Sequence, residues 1–288
     1  MAKILIICGP TATGKTRFGI DIAKRFNGEL VSADSRQVYK GKNLIYGKDL
    51  PRESKWVDNT PGYWDLGYTK IWLYDVVSPG EEFSVAQWHD LAVKVIEDIL
   101  SRQKLPIVVG GSGLYIKSLI QNLTDISVPR DMSLRKDLEN KSIDYLFNYL
   151  KRIDPQRAKR LNESDRKNPR RLFRAIEIAA LGSKVQRVKG TKFNFLQIGL
   201  TTAREELLKR VDMRVEERIK AGAAGEDSIL SANPQLWRNL EHKIVRQQLT
   251  WFKKQPAIYW FDITQPAWSI QAQYVIKKWY NKLYAPQG

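Results

Sequence analysis

The chain has one cysteine, Cys8, and two histidines in 288 residues. A single thiol cannot form an internal disulfide, and this supply of sulfur and imidazole excludes a zinc site of the usual spacing. Cys8 closes an apolar run and reads as a small core residue, not a nucleophile. No stretch stays apolar for the length of a bilayer, and a strand pattern begins at once. The expectation is a cytoplasmic protein without a signal peptide. Acidic residues are also scarce: 31 Asp and Glu face 48 Lys and Arg, a net charge of +17. Hydrophobic content of 43% is enough for one large core or two smaller ones, so the shortage is of negative charge alone. Such a balance fits an anionic macromolecular partner, most simply nucleic acid, although a generally basic proteome would give it too. Its distribution favours a partner. Between Lys151 and Lys192 there are 14 Lys or Arg and four acids (Asp154, Glu163, Asp165, Glu177), a local net of +10.

The most informative stretch is Gly9-Pro10-Thr11-Ala12-Thr13-Gly14-Lys15-Thr16, which satisfies G-x-x-x-x-G-K-[ST]. The apolar run Ile4 to Ile7 precedes it, and a helical pattern through Phe18, Ile22 and Phe26 follows. Strand, glycine loop and helix in that order form a phosphate cradle, with backbone N–H groups and the positive helix end pointing at the anion. Lys15 adds a point charge, and the Thr16 hydroxyl can ligate Mg²⁺. A P-loop binds any polyphosphate, so the motif alone does not fix the ligand.

Residues 29–33 read as a second strand ending at Asp34, and 41–70 as a long irregular connection. Residues 71–76 read as a third strand. Ser84 and Gln87 form a capping box with Phe83 and Trp88 as its hydrophobic staple, opening a helix. Residues 106–109 make a fourth strand running into Gly110-Gly111-Ser112-Gly113 and a further helix. Strands alternating with helices predict an α/β fold of the P-loop kinase-like kind, a parallel sheet with helices on both faces. Ligands gather at the carboxyl ends of such strands, which brings the P-loop, Asp34 to Gln37 and Gly110 to Gly113 together.

From 124 to 192 the pattern turns helical and basic, with Asp154-Pro155 and Asn168-Pro169 as helix starts. This predicts an all-helical insert over 124–192, between a P-loop core at 1–123 and its completion at 193–288. In the last part, 193–200 reads as a strand and Thr202 with Glu205 as a second capping box. The remainder reads as helical and tryptophan-rich. Three polar residues carry candidate chemistry. Asp34 could accept a proton at the ligand edge or simply cap a turn. Ser112 lies between glycines, as a ligand contact or a turn serine. Arg214, one helical turn beyond Arg210, could reach phosphates or stay solvated.

Several blocks resemble the bacterial tRNA dimethylallyltransferases (tRNA isopentenyltransferases): the P-loop, Asp34-Ser35-Arg36-Gln37-Val38-Tyr39-Lys40-Gly41, Val109 to Tyr115, Asn168 to Glu177, and Arg246 to Phe252. The resemblance implies transfer of a five-carbon allyl group from dimethylallyl diphosphate to N6 of adenosine at tRNA position 37, beside the anticodon. It implies that Gly9 to Thr16 hold the donor's diphosphate, with Mg²⁺ on Thr16. Asp34, Ser112 and Arg214 become catalytic candidates, Ser112 where the family usually carries threonine. Asp34, Ser35, Arg36, Gln37, Ser112, Arg246 and Gln247 become tRNA contacts, and Arg135, Arg170, Arg171 and Arg174 a clamp on the anticodon stem-loop of a monomeric enzyme. The target base must leave its stack to react. The chain departs from the family at 43–47, at Ile71-Trp72, where a His-His pair is usual, and at 222–245. Two rivals remain. One is an ATP-dependent kinase or NTPase with Asp75 ending a Walker B-like strand; the other is a tRNA-binding homologue that has lost catalysis.

Overall fold

The computed structural model describes residues 1–121, 128–182 and 193–281. The chain divides into two compact units, Met1–Ile120 with Thr191–Gly288, and Gln121–Gly190.

The larger unit is built on β1 (Lys3–Cys8), whose residues Ile4 to Cys8 are fully buried. Such a run, apolar on both sides, can only be a central strand with both faces covered. Its neighbours are β6 (Leu105–Gly110) and β7 (Asn194–Thr201), both parallel, with Leu5 opposite Ile107 on one side and Leu196 on the other. β2 (Gly28–Ser32) and β5 (Lys70–Trp72) extend the sheet beyond β6, and β8 (Ile258–Asp262) extends it beyond β7. Alternate residues serve opposite cores. Ile4, Ile6 and Cys8 pack toward α3 (Val85–Ser101) and α4 (Gly113–Ile120). Leu5 and Ile7 pack toward α1 (Lys15–Phe26) and α13 (Trp268–Asn281). The expected α/β sheet with helices on both faces is the observed architecture. The Ser84–Gln87 capping box at the start of α3 is complete in both directions.

Four local expectations fail, each for a physical reason. Residues 41–70 are not irregular: they hold α2 (Asn43–Tyr46) and the strands β3 (Lys55–Val57) and β4 (Tyr63–Asp65), with β4 antiparallel to both β3 and β5. Cross-strand aromatics hold this hairpin, with Trp56 opposite Trp64 and Tyr63 packed on Trp72 at 4.5 Å between ring centroids. The third strand stops at Trp72 because Leu73 (φ 64°) and Asp75 (φ 56°) leave the extended region. The Thr202–Glu205 capping box does not form. α10 (Arg204–Lys220) starts from Ala203 without a side-chain cap, and the Thr202 hydroxyl bonds Thr264 instead. Finally, β8 interrupts the expected C-terminal helices of α11 (Ser228–Ala232), α12 (Pro234–Phe252) and α13. Its short run of consecutive aromatics, Tyr259 to Phe261, has no alternation to separate it from a helix.

The smaller unit is helical throughout its described residues: α5 (Met132–Leu138), α6 (Ile143–Ile153), α7 (Pro155–Arg160), α8 (Glu163–Arg166) and α9 (Pro169–Leu181). At each N-terminus a side chain accepts a backbone N–H of the first turn, that of Asp131, Ser142, Asp154, Asn162 and Asn168 respectively, the residue types that best replace a missing turn. Leu138, Leu146, Leu150, Leu172 and Ile176 form its own core.

Candidate active site

The loop after β1 takes three left-handed or unusual conformations, at Gly9 (φ 132°), Ala12 (φ 64°) and Gly14 (φ 77°), turning its N–H groups inward before α1. A side chain at Gly9 would run into the Leu200 carbonyl, its Cβ 2.2 Å from that oxygen, so only glycine fits between the loop and β7. Within the loop, Thr13 donates to the Pro10 carbonyl (2.9 Å), and so does the Lys15 ammonium (2.6 Å). The Thr11 N–H is held by Gln248 Oε1 (2.8 Å) from α12, whose Nε2 donates to Gly111 O (3.2 Å). One amide side chain thus ties the P-loop to the end of β6.

These parts open on a cavity of about 440 Å³. Lys15, Arg17, Lys24, Arg36, Arg214 and Arg218 line it, against the carboxylates of Asp21, Asp34 and Asp49. Among the lining residues cations therefore outnumber acids two to one, and the cavity is built for an anion. Burial pushes the Lys15 ammonium down to about 8, an effect that Asp34 partly offsets and Arg214 reinforces. Cys8, behind the loop, is pushed up to about 12 by burial, which keeps it an inert thiol.

Of the expected site residues, Lys15, Thr16, Asp34, Arg36, Gln37 and Arg214 all line this cavity. Asp34 Oδ1 accepts the Arg36 N–H (2.9 Å), a turn that fixes the carboxylate at the end of β2. Ser112 is beside the cavity and acts on the same turn: its Oγ accepts from the Ser35 N–H (2.8 Å). Its own N–H donates to Ala33 O (3.0 Å). Gln37 is buried, bridging the Ser32 hydroxyl and Gly47 O. Arg36 forks onto the buried Glu241, at 2.6 and 3.4 Å. Arg214 pairs with Asp49. Arg246 and Gln247 are exposed on α12.

Asp75, the Walker B candidate of the kinase alternative, is fully engaged. It accepts from the Lys48 ammonium (2.6 Å), the Gly41 N–H (3.0 Å) and Trp64 Nε1 (2.9 Å). The Lys48 side chain is completely buried, and burial lowers its pKa even though Asp75 opposes the shift. Asp75 neutralises a buried ammonium and has no free face for Mg²⁺.

In the helical unit, Arg135 and Arg174 converge on the buried Glu177 (2.5 to 3.1 Å). Arg171 pairs with Asp165, and Arg170 is exposed. Sequence reasoning passed over Arg218, Asp49 and Gln248. Gln248 was within reach: α12 buries Trp237, Glu241, Val245 and Phe252, and 248 falls on that face, unlike 247.

Known proteins are similar to this chain along most of its length. The IPP transferase family model matches residues 65–245. The tRNA dimethylallyltransferase of Acetivibrio thermocellus is 36% identical over 91% of this chain and 92% of its own length. That of Anoxybacillus flavithermus is 34% identical over 91% of both. The full-length tRNA isopentenylpyrophosphate transferase of Bacillus halodurans aligns over the whole of both chains with a TM-score of 0.65 and 27% identity. With the P-loop, the Asp34 turn and Arg214 on one cavity and relatives this close along nearly its whole length, the chain belongs to the tRNA dimethylallyltransferase family.

Proposed function

We propose that this chain transfers a dimethylallyl group from dimethylallyl diphosphate to N6 of adenosine at tRNA position 37, releasing diphosphate. The observation that carries this reading is the convergence of Lys15, Thr16, Asp34 and Arg214 on one cation-lined cavity. Gly9 to Thr16 hold the diphosphate, with loop N–H groups and Lys15 on its oxygens. Mg²⁺ fits the donors at hand: the Thr16 hydroxyl and the Asp49 carboxylate are hard oxygens, and their small number leaves room for phosphate ligands. When bound, Mg²⁺ neutralises phosphate charge as the leaving group departs.

An adenine exocyclic amine is a poor nucleophile, and Asp34 supplies the base. N6 attacks the allylic C1, the C1–O bond breaks with its electrons leaving on diphosphate, and the N6 proton passes to the Asp34 carboxylate. Ser112 acts as a positioning residue, holding the Ser35 N–H beside that carboxylate. Ser35, Arg36 and Gln37 border the flipped base, and Arg214 meets charge on the leaving group. Arg246 and Gln247 are free to meet tRNA. Arg170 of the helical unit is exposed for the same role and Arg171 would trade Asp165 for an RNA phosphate, while Arg135 and Arg174 shape the surface that carries them. The enzyme acts as a cytoplasmic monomer. Among the described residues no helix is long and apolar enough to cross a membrane.

Purified protein incubated with dimethylallyl diphosphate, Mg²⁺ and tRNA should yield prenylated adenosine, read by nucleoside mass spectrometry. Phosphate transfer from ATP with no allyl transfer would sink the proposal in favour of a kinase. A chain that binds tRNA but never turns over would instead be a lapsed homologue.

A further inference from the structure

Arg218 is 93% buried and, among the described residues, makes no hydrogen bond or ion pair, yet it lines the cavity. It lies one turn beyond Arg214 on α10, so both guanidinium groups leave the same helix face. They meet over Gly47. A Cβ built there would stand 3.0 Å from Arg214 Nη2 and only 1.9 Å from Arg218 Nη2, so a residue with φ of 65° and no side chain is what lets both heads in.

Two like charges at this spacing in a buried place repel, and the surrounding acids do not balance them. Asp49 is held by Arg214, and Glu241 is forked by Arg36. Arg218 is left over. Burial, with Arg214 adding to it, pulls its guanidinium down to about 10. A buried cation without a partner is costly unless something neutralises it. The cavity is short of anions, and Arg218 is a buried cation with no ion pair there among the described residues.

We propose, building on the donor site above, that Arg218 together with Arg214 receives the second phosphate of a diphosphate ligand, making the cavity selective for diphosphate over monophosphate. The order of charges supports this. Lys15 interacts with Arg214, and Arg214 in turn with Arg218, and all three line the one cavity with Arg36. One phosphate on the loop leaves the next within reach of the arginine pair. A planar guanidinium with all its donors free matches the two oxygens of a terminal phosphate.

The test titrates inorganic pyrophosphate and inorganic phosphate, each with Mg²⁺, into the full chain, its Arg218→Met variant and its Arg218→Lys variant. Arg218→Met should lose about 10- to 100-fold in pyrophosphate affinity while phosphate affinity changes less than about twofold. Arg218→Lys should fall between wild type and Arg218→Met, because it keeps the charge and loses the two-pronged fork. The melting temperature of free Arg218→Met should stay level or rise, since an unpaired buried charge is gone, while the rise on adding pyrophosphate shrinks. Unchanged pyrophosphate affinity, or an elevated KM for tRNA alone, overturns the inference and makes Arg218 a contact for RNA phosphate or none. A lower melting temperature with both affinities falling together makes it structural and overturns it too. Wild-type protein that binds neither pyrophosphate nor dimethylallyl diphosphate overturns the donor-site reading itself, and this inference with it.

Discussion

The two units treat arginine in opposite ways. In the helical unit Glu177 is buried and takes both Arg135 and Arg174, with the Asp131 N–H as a further donor. Burial alone would raise its pKa, but the hydrogen bonds from the two arginines outweigh this and hold it below the usual range. At the cavity Arg36 is paired with the buried Glu241 and Arg214 with Asp49, while Arg218 has no ion pair among the described residues. One cluster is saturated and the other is deficient. A saturated cluster builds structure; a deficient one waits for an anion.

The largest effect should follow from emptying the deficient side of its reacting groups. Lys15→Ala and Asp34→Ala should each cut kcat by about 10²- to 10⁴-fold, as for loss of one charge-stabilising or proton-accepting group. Asp34→Ala should leave tRNA affinity intact in a filter-binding or anisotropy assay. A variant with wild-type turnover would remove Asp34 from the reaction.

The saturated side should respond in stability. Glu177→Ala leaves two arginines facing each other without their carboxylate. Both are still about a quarter exposed and can rehydrate, so the cost should be near the lower end for a broken buried pair, about 2–3 kcal/mol. A urea titration that follows the helical unit, for example by limited proteolysis, reads this directly. No shift of midpoint would mean that Glu177 does not organise the unit.

This contrast was only half legible in the sequence. The P-loop, the strand order around it and the caps of α3, α7 and α9 were readable because each rests on local chemistry: a glycine pattern, an apolar run, or an Asp, Asn or Ser before a helix. Which arginine is free is not local. Arg135 lies 42 positions from Glu177, and Arg36 lies 205 from Glu241. A charge count over 151–192 sees ten net positives and cannot tell that Arg174 is tied to Glu177. Likewise the 41–70 hairpin rests on Trp56, Trp64, Tyr63 and Trp72 meeting across strands, which a search for alternation in short three-residue segments could not find.

A smaller effect tests the deficient side by pH. Lys15 has its pKa pulled to about 8 in the folded chain, against an ordinary value of 10.5. Diphosphate needs the ammonium form, so above about pH 8 binding must take up a proton, and affinity should fall roughly tenfold per pH unit. Stability of the free protein moves the other way. The unfolded chain binds the extra proton between about pH 8 and 10.5, so this group makes the fold more stable as pH rises through that window. Pyrophosphate titrations from pH 7 to 9.5 check the first limb. Lys15→Arg should flatten it, and a flat wild-type profile would show that Lys15 stays charged in the empty cavity.

The smallest effect separates surface arginines from structural ones within a single helix. Arg170 is exposed at the start of α9, while Arg174, one turn later, is held by Glu177 and the Val128 carbonyl. Arg170→Ala should leave the melting temperature unchanged, raise KM for tRNA about two- to fivefold, and reduce the slope of log affinity against log salt by somewhat less than 1, the signature of one lost phosphate contact. Arg174→Ala should instead lower the melting temperature, because it leaves the buried Glu177 with one partner fewer. Its effect on tRNA should track the fraction of chain that is folded. If both variants changed only the salt slope, Arg174 would be an RNA contact that rests on Glu177 in the free protein, and the saturated cluster would be as ready to exchange partners as the cavity.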